Sequence, residues 1–235
     1  NKIDWVLCEH GGMEGFRQLK EAGPSTPVEV LGLVITGAFL ASRVLGWLRV
    51  VVLSNLFGAG AELDAYYAAF RIPDLIFELV AAGAITSALI PVLAGLIEHG
   101  EKARAWRVAS TVLNLMLAAL LVLAILLAVF APVVVPLLVP GFDEATTELT
   151  IELTRLMLIS PIFLAAGSIV TAILQTQDRF AAAAMAPVVY NASIIGGALL
   201  LGPVMGIHGV AVGVIVGAIG HMAIQLPALR GRFTY

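Results

Sequence analysis

Long apolar runs separated by short polar breaks dominate this chain, and the pattern is helical rather than alternating. Six stretches, at about 28–54, 65–97, 107–139, 151–174, 181–202 and 207–228, each reach the ~20 residues that an α-helix needs to cross a bilayer core. Inside hydrocarbon the backbone must satisfy its own hydrogen bonds, and runs this rich in Leu and Ala with no period of two favour helices over a barrel. The pattern predicts an all-α polytopic membrane protein, a bundle of six transmembrane helices. The second stretch covers 33 residues and holds Pro73, Gly83 and Pro91. At ~1.5 Å per residue it is too long for a ~30 Å core, so it is expected to bend or tilt. Pro132 and Pro136, Pro161 and Pro187 mark further weak points in spans three, four and five.

The breaks between spans predict orientation. Basic residues fall in the first 27 residues (Lys2, Arg17, Lys20), between spans two and three (Lys102, Arg104, Arg107), between four and five (Arg179) and after six (Arg230, Arg232). The intervening loops have none: Asn55–Asp64 carries Glu62 and Asp64, 141–152 carries Asp143, Glu144, Glu148 and Glu152, and 201–206 is neutral. Strict alternation over six spans predicts that both ends face the cytoplasm. Residues 1–27 read as a soluble cytoplasmic leader with no signal-peptide core, and 231–235 as the start of a truncated cytoplasmic tail.

Composition sharpens this reading. Sixty per cent of the 235 residues are hydrophobic and only 29 are charged, which excludes an ordinary water-soluble enzyme. A formal net charge of −3 gives no basic excess for nucleic acid, and Cys8, the single cysteine, excludes an internal disulfide. No HExxH, phosphate loop, Cys/His metal spacing or GxSxG is present, so neither catalytic residues, nor a metal, nor a cofactor is expected.

The charges that remain inside the spans carry the functional signal. In span one, Ser42, Arg43, Gly46 and Arg49 share an arc of about 120° at 100° per residue, which predicts one polar side facing the bundle interior. In span two, Asp64 sits at the outer end, and Arg71, Asp74 and Glu78 follow on one face, where Arg71 and Asp74 can pair. Phe70 and the Tyr66–Tyr67 pair read as interfacial anchors, and Arg155 as a partner for the acidic outer loop. Ions at such depth default to a binding or transport role, here a hydrophilic cavity for an anionic substrate; salt bridges that merely tie spans one and two together are the competing reading. Gly209, Gly213, Gly217 and Gly220 form a small-residue ridge for close helix packing, and His221 beyond it reads as structural.

These residues resemble a known family. Ser42-Arg43-Val44-Leu45-Gly46-Trp47-Leu48-Arg49, Phe57-Gly58-Ala59-Gly60, 64–73 (Asp-Ala-Tyr-Tyr-Ala-Ala-Phe-Arg-Ile-Pro), Gly83-Ala84 and Pro91-Val92-Leu93 look like the opening of the MurJ (MviN) lipid II flippases. The likeness continues at Pro140-Gly141-Phe142, Arg179-Phe180, Ala186-Pro187, Asn191 and Gln225-Leu226-Pro227. It implies the N-terminal six-helix lobe of a two-lobe transporter of the multidrug/oligosaccharidyl-lipid/polysaccharide exporter superfamily. It further implies a non-enzymatic, alternating-access turnover of undecaprenyl-diphosphate-linked peptidoglycan precursor across the bacterial cytoplasmic membrane. Carried over to this sequence, Arg43 and Arg49 would hold the diphosphate, Arg71 would be a basic cavity position, Ser42, Asp74 and Asn191 would line the substrate site, and Asp64 would be a gate residue. Asp74, Phe77 and Glu78 depart from the family pattern, which has Asn after the proline and basic residues four and five positions beyond it. The implied partners are the lipid-linked glycan, the bilayer, a C-terminal lobe or second subunit and cell-wall synthesis enzymes. The alternatives are an exporter of another lipid-linked glycan or drug, and a non-transporting membrane scaffold.

Overall fold

The computed structural model describes residues 27–78, 84–177 and 179–229. The expected leader, apart from its last residue, and the basic tail lie outside the described residues. By internal contacts the chain divides into two compact units, Asn1–Gly37 and Ala38–Tyr235. Of the first, the described part is helical; the account below concerns the second.

Ten α-helices follow in order among the described residues: α1 Pro27–Phe57, α2 Ala61–Phe77, α3 Ala84–Glu98, α4 Lys102–Leu138, α5 Glu144–Met157, α6 Ser160–Gln175, α7 Phe180–Gly196, α8 Gly202–Met205, α9 Ile207–Ala223 and α10 Leu226–Leu229. A π-helical turn, Gly197–Leu201, joins α7 to α8. No strand occurs among the described residues. Five helical segments are long and apolar enough to cross a bilayer: Gly32–Phe57, Lys102–Leu138, Glu144–Gln175, Phe180–Met205 and Ile207–Leu229. Where the sequence suggests a second span at 65–97, the described structure consists of two shorter helices, α2 and α3. Large apolar side chains such as Trp47, Leu115, Val129 and Leu137 lie exposed along α1 and α4, an arrangement that suits lipid and not water. The fold is polytopic, all-α and membrane-embedded.

Two cores meet at α2. The later turns of α2 send Ile72 and Ile76 toward Leu89 and Leu93 of α3, Met116 and Leu120 of α4, and Ile169 and Ile173 of α6. The earlier turns send Leu63, Tyr66 and Ala69 toward Leu53 of α1, Leu153 and Met157 of α5, Ile194 of α7, and Val210 and Val214 of α9. Tyr66 is therefore a core residue, 2% exposed, and not the interfacial anchor expected of it. Its ring stands edge-on to Tyr67, whose side chain remains exposed, and tilted against Phe70.

The glycine ridge packs as expected. On α9, a Cβ at Gly213 would lie 2.9 Å from the Ser193 carbonyl and 3.0 Å from Gly197 Cα, and one at Gly217 would lie 2.9 Å from the Tyr190 carbonyl. A Cβ at Gly209 would meet the Leu201 carbonyl carbon at 2.6 Å, and one at Gly220 would meet Val189 Cγ1 at 2.8 Å. Four successive turns of α9 thus press on α7 and the π-helical turn, three of them against backbone and the last, at Gly220, against the Val189 side chain, the close approach that small residues allow between membrane helices.

Prolines leave carbonyls without helical donors, and side chains fill the gaps. Pro161 has no N–H for the Met157 carbonyl, four residues back; Ser160 Oγ donates to that oxygen at 2.8 Å, just where α5 gives way to α6. Pro132 likewise frees the Ala128 carbonyl inside α4, and Arg155 Nε donates to it at 2.9 Å across 27 residues of sequence. Arg155 is thus engaged by the α4 backbone and makes no ion pair with the acidic outer loop within 4.0 Å. An unsatisfied carbonyl at this depth costs several kcal/mol, which explains why an arginine is tolerated here.

Beside the glycine seam, α6 and the end of α9 share a polar contact. Gln225 is fully buried; Thr171 Oγ1 donates to its Oε1 at 2.8 Å, and its Nε2 donates to the His221 carbonyl at 2.9 Å. The His221 ring fills the space over Gly167, where a Cβ would stand 2.5 Å from Nδ1, and that nitrogen is buried with no hydrogen-bond partner among the described residues.

Candidate functional site

Helical spacing separates the charged residues of α1 and α2 into two groups. On α1, Ser42, Gly46, Arg49 and Leu53 recur at intervals of three and four, so they share the side turned to the bundle. Ser42 and Arg49 are half-buried, Leu53 is buried, and Gly46 approaches α7 so closely that a Cβ would lie 3.9 Å from Asn191 Oδ1. Arg43 is one residue round from Ser42, about 100° away, and is exposed. The predicted polar arc exists, but it divides: its Ser42–Gly46–Arg49 part faces the bundle and its Arg43 edge does not.

The same division runs along α2. Phe70, Pro73, Asp74 and Phe77 recur at three and four and line a cavity of about 360 Å³ with Arg49 of α1, Ser160 and Leu164 of α6, and Tyr190 and Asn191 of α7. Arg71 and Glu78 lie outside this lining and are exposed. No ion pair within 4.0 Å joins Arg71 to Asp74 among the described residues, so the pairing that their spacing allows does not form: Asp74 lines the cavity and Arg71 stays exposed beside it. Asp64 is exposed in the first turn of α2, away from the cavity.

Within the cavity, charge and hydrogen-bonding groups face one another across an apolar floor. Arg49 of α1, Asp74 of α2, and Tyr190 and Asn191 of α7 line it together. Asn191 donates from Nδ2 to the Pro187 carbonyl at 3.0 Å, which fixes the amide on its own helix with Oδ1 toward α1. Arg49 has no carboxylate within 4.0 Å among the described residues, so its guanidinium fork is free for a ligand. That fork matches two phosphate oxygens at once, while Asp74 and Asn191 offer acceptors for hydroxyl or amide donors. No group of three or more His, Cys, Asp or Glu side chains able to hold a metal ion occurs among the described residues.

Of the residues singled out in the sequence, the structure brings Arg49, Asp74 and Asn191 to one cavity and sets Ser42 on the same side of α1. Arg43, Arg71 and Asp64 stay apart from it. Sequence reasoning missed Tyr190 and Ser160. Tyr190 is uncharged but directly precedes Asn191 in the middle of an apolar span, and that polar pair was the available signal.

Known proteins resemble this chain over most of its length. The model of the family described as "Lipid II flippase MurJ" matches residues 53–233. The Burkholderia cenocepacia protein named lipid II flippase MurJ is 31% identical over 203 residues, 84% of this chain and 39% of that protein. A probable lipid II flippase MurJ of Vibrio cholerae is 31% identical over 209 residues, 84% of this chain and 40% of its own length. Over a shorter stretch of 61 residues, the probable lipid II flippase MurJ of Treponema pallidum reaches 49%. A solved structure titled lipid II flippase MurJ, inward closed conformation, superposes with a TM-score of 0.73 at 27% identity, covering 86% of this chain and 43% of that one. The chain thus spans about two fifths of the length of the relatives it matches. With a matching family model over most of its length, relatives at 31% identity and shared helical architecture, the chain belongs to the MurJ lipid II flippase family.

Proposed function

We propose that this chain is the N-terminal lobe of a flippase that turns an undecaprenyl-diphosphate-linked peptidoglycan precursor across the bacterial inner membrane. It is a transporter and not a catalyst. The observation that carries the reading is Arg49, an unpaired cation half-buried in a cavity between α1, α2, α6 and α7. At about 360 Å³ the cavity falls within the ~300–1,000 Å³ range of small-ligand pockets, and it suits a diphosphate or one sugar of a larger headgroup. Arg49 holds phosphate oxygens, and Asp74 and Asn191 accept from the adjoining sugar. Ser42, on the same side of α1 as Arg49, lines the path beyond, whereas Arg43 and Arg71 stand outside it. Both ends of the lobe lie in the cytoplasm and Asp64 serves as a gate at the opposite surface. A second lobe or subunit closes the cavity and supplies further cations, and alternating access arises as the two rock against each other.

The test is complementation of a flippase-depleted strain by the full-length protein. Arg49→Ala, expressed at the normal level, is expected to abolish growth, and Arg49→Lys to restore part of it, because a point charge replaces the bidentate fork. Full growth with Arg49→Ala overturns the assignment. Asp74 in the cavity wall favours one alternative, a different lipid-linked glycan with more donors near its diphosphate. Under that reading the Asp74→Asn variant gains activity toward the peptidoglycan precursor and loses it toward the native glycan.

A further inference from the structure

We propose that the junction of α3 and α4 is a binding site for an anionic phospholipid headgroup, separate from the transport cavity. Gly100, at φ +77°, reverses the chain between the two helices and starts α4 directly after it. Around this turn lies a shallow concavity of about 740 Å³, lined by Lys102, Arg104 and Arg107 at its rim and by Val108, Thr111 and Val112 along its floor. These residues are not a scattered loop population. Arg104, Arg107, Val108, Thr111 and Val112 recur at three and four along α4 and so form one stripe, cationic at its start and apolar further in, leading to the exposed Leu115.

The charges of the rim do not cancel. Glu101 pairs with Arg104 at 3.0 Å, but Lys102 and Arg107 are exposed with no ion-pair partner among the described residues. Three cations against one carboxylate leave a local charge of +2, at the positive end of a helix 37 residues long. A free anion would need only the rim. A phospholipid needs both parts, a phosphodiester against Lys102 and Arg107 and a glycerol and upper acyl chain on Val108, Thr111 and Val112. The order of charge and apolarity along α4 is that of a lipid standing in its own leaflet, and clustered basic residues beside a membrane helix attract such headgroups. None of these residues contributes to the cavity around Arg49, so the site stands or falls independently of the transport reading.

Native mass spectrometry of the detergent-solubilised full chain, titrated with phosphatidylglycerol or with phosphatidylcholine, tests this. The unmodified chain is expected to retain phosphatidylglycerol preferentially. Lys102→Gln with Arg107→Gln should weaken that retention by about 30-fold, from roughly 1 kcal/mol per cation, while Lys102→Arg with Arg107→Lys keeps it. Thr111→Phe, which fills the apolar floor and leaves every charge in place, should also displace the lipid, and it provides the reading if the double Gln variant fails to fold. Retention unchanged in the Gln variant or in Thr111→Phe overturns the proposal. Displacement of phosphatidylglycerol by inorganic phosphate would show a free-anion site instead, and overturns it equally.

Discussion

The seam between α7 and α9 and the cavity between α1, α2, α6 and α7 share one helix and are built on opposite principles. On its α9 side, α7 and the π-helical turn that follows it meet four glycines so closely that a Cβ at each would lie within 3 Å of a neighbouring atom. On its α1 side, the same helix presents Tyr190 and Asn191 to a space that α1 and α2 leave open around Arg49 and Asp74. Membrane helices lack a hydrophobic force between them, so close packing has to hold the bundle together. Where packing is surrendered, as around Arg49, the fold gains a place for polar chemistry. The seam makes α7 a fixed wall, and the fixed wall gives the cavity its shape.

The sharpest way to break the comparison is to place a side chain in the seam. Gly213→Leu drives carbon into the Ser193 carbonyl and Gly197 Cα, backbone atoms that cannot turn aside. A loss at or above the upper end of the ~1–3 kcal/mol typical of overpacking is expected, seen as a lower melting temperature and poor recovery in detergent. If Gly213→Leu melts as the unmodified chain does, the seam is not the fixed element. A smaller effect is expected from the α4–α5 contact. Arg155→Met leaves the Ala128 carbonyl without a donor and should cost about 1–3 kcal/mol. Pro132→Ala restores a backbone N–H for that carbonyl, so in its presence Arg155→Met should cost much less, and a double-mutant cycle in thermal melts reads the difference. Equal costs in both backgrounds would remove Arg155 from this role. Smaller again, Thr171→Val takes one donor from the buried Gln225 and should cost about 1 kcal/mol. Least is expected of Arg71→Ala, an exposed side chain without an ion-pair partner, with a stability change within about 0.5 kcal/mol. A larger loss there would mean that the charges of α2 brace the fold.

Much of this architecture was legible in the sequence, because hydropathy and glycine spacing act locally. The stretches at 151–174, 181–202 and 207–228 each fall within a long apolar helical segment, the stretch at 107–139 overruns its own by one residue, and the ridge from Gly209 to Gly220 announced its own close contact. The stretch at 65–97 is harder, since a run of apolar residues looks the same whether one long helix or two shorter ones carry it. For the site, periodicity placed Ser42, Arg43 and Arg49 on one broad arc but could not say which edge of it faces inward. That depends on Asn191, almost 150 residues away on α7, which Gly46 approaches. Tyr66 went astray for a related reason: an aromatic ring near a helix start suits an interface or a core equally, and the choice rests on what α5 and α9 bring against it.

The bond from Arg155 to Ala128 also makes two helices depend on each other. The acceptor lies 27 residues ahead of its donor, and Pro132 denies it the N–H that α4 would otherwise supply. α4 on its own thus carries an acceptor that lipid cannot satisfy, and α5 on its own carries an arginine that lipid disfavours. Docking the two side by side offsets both costs with one bond.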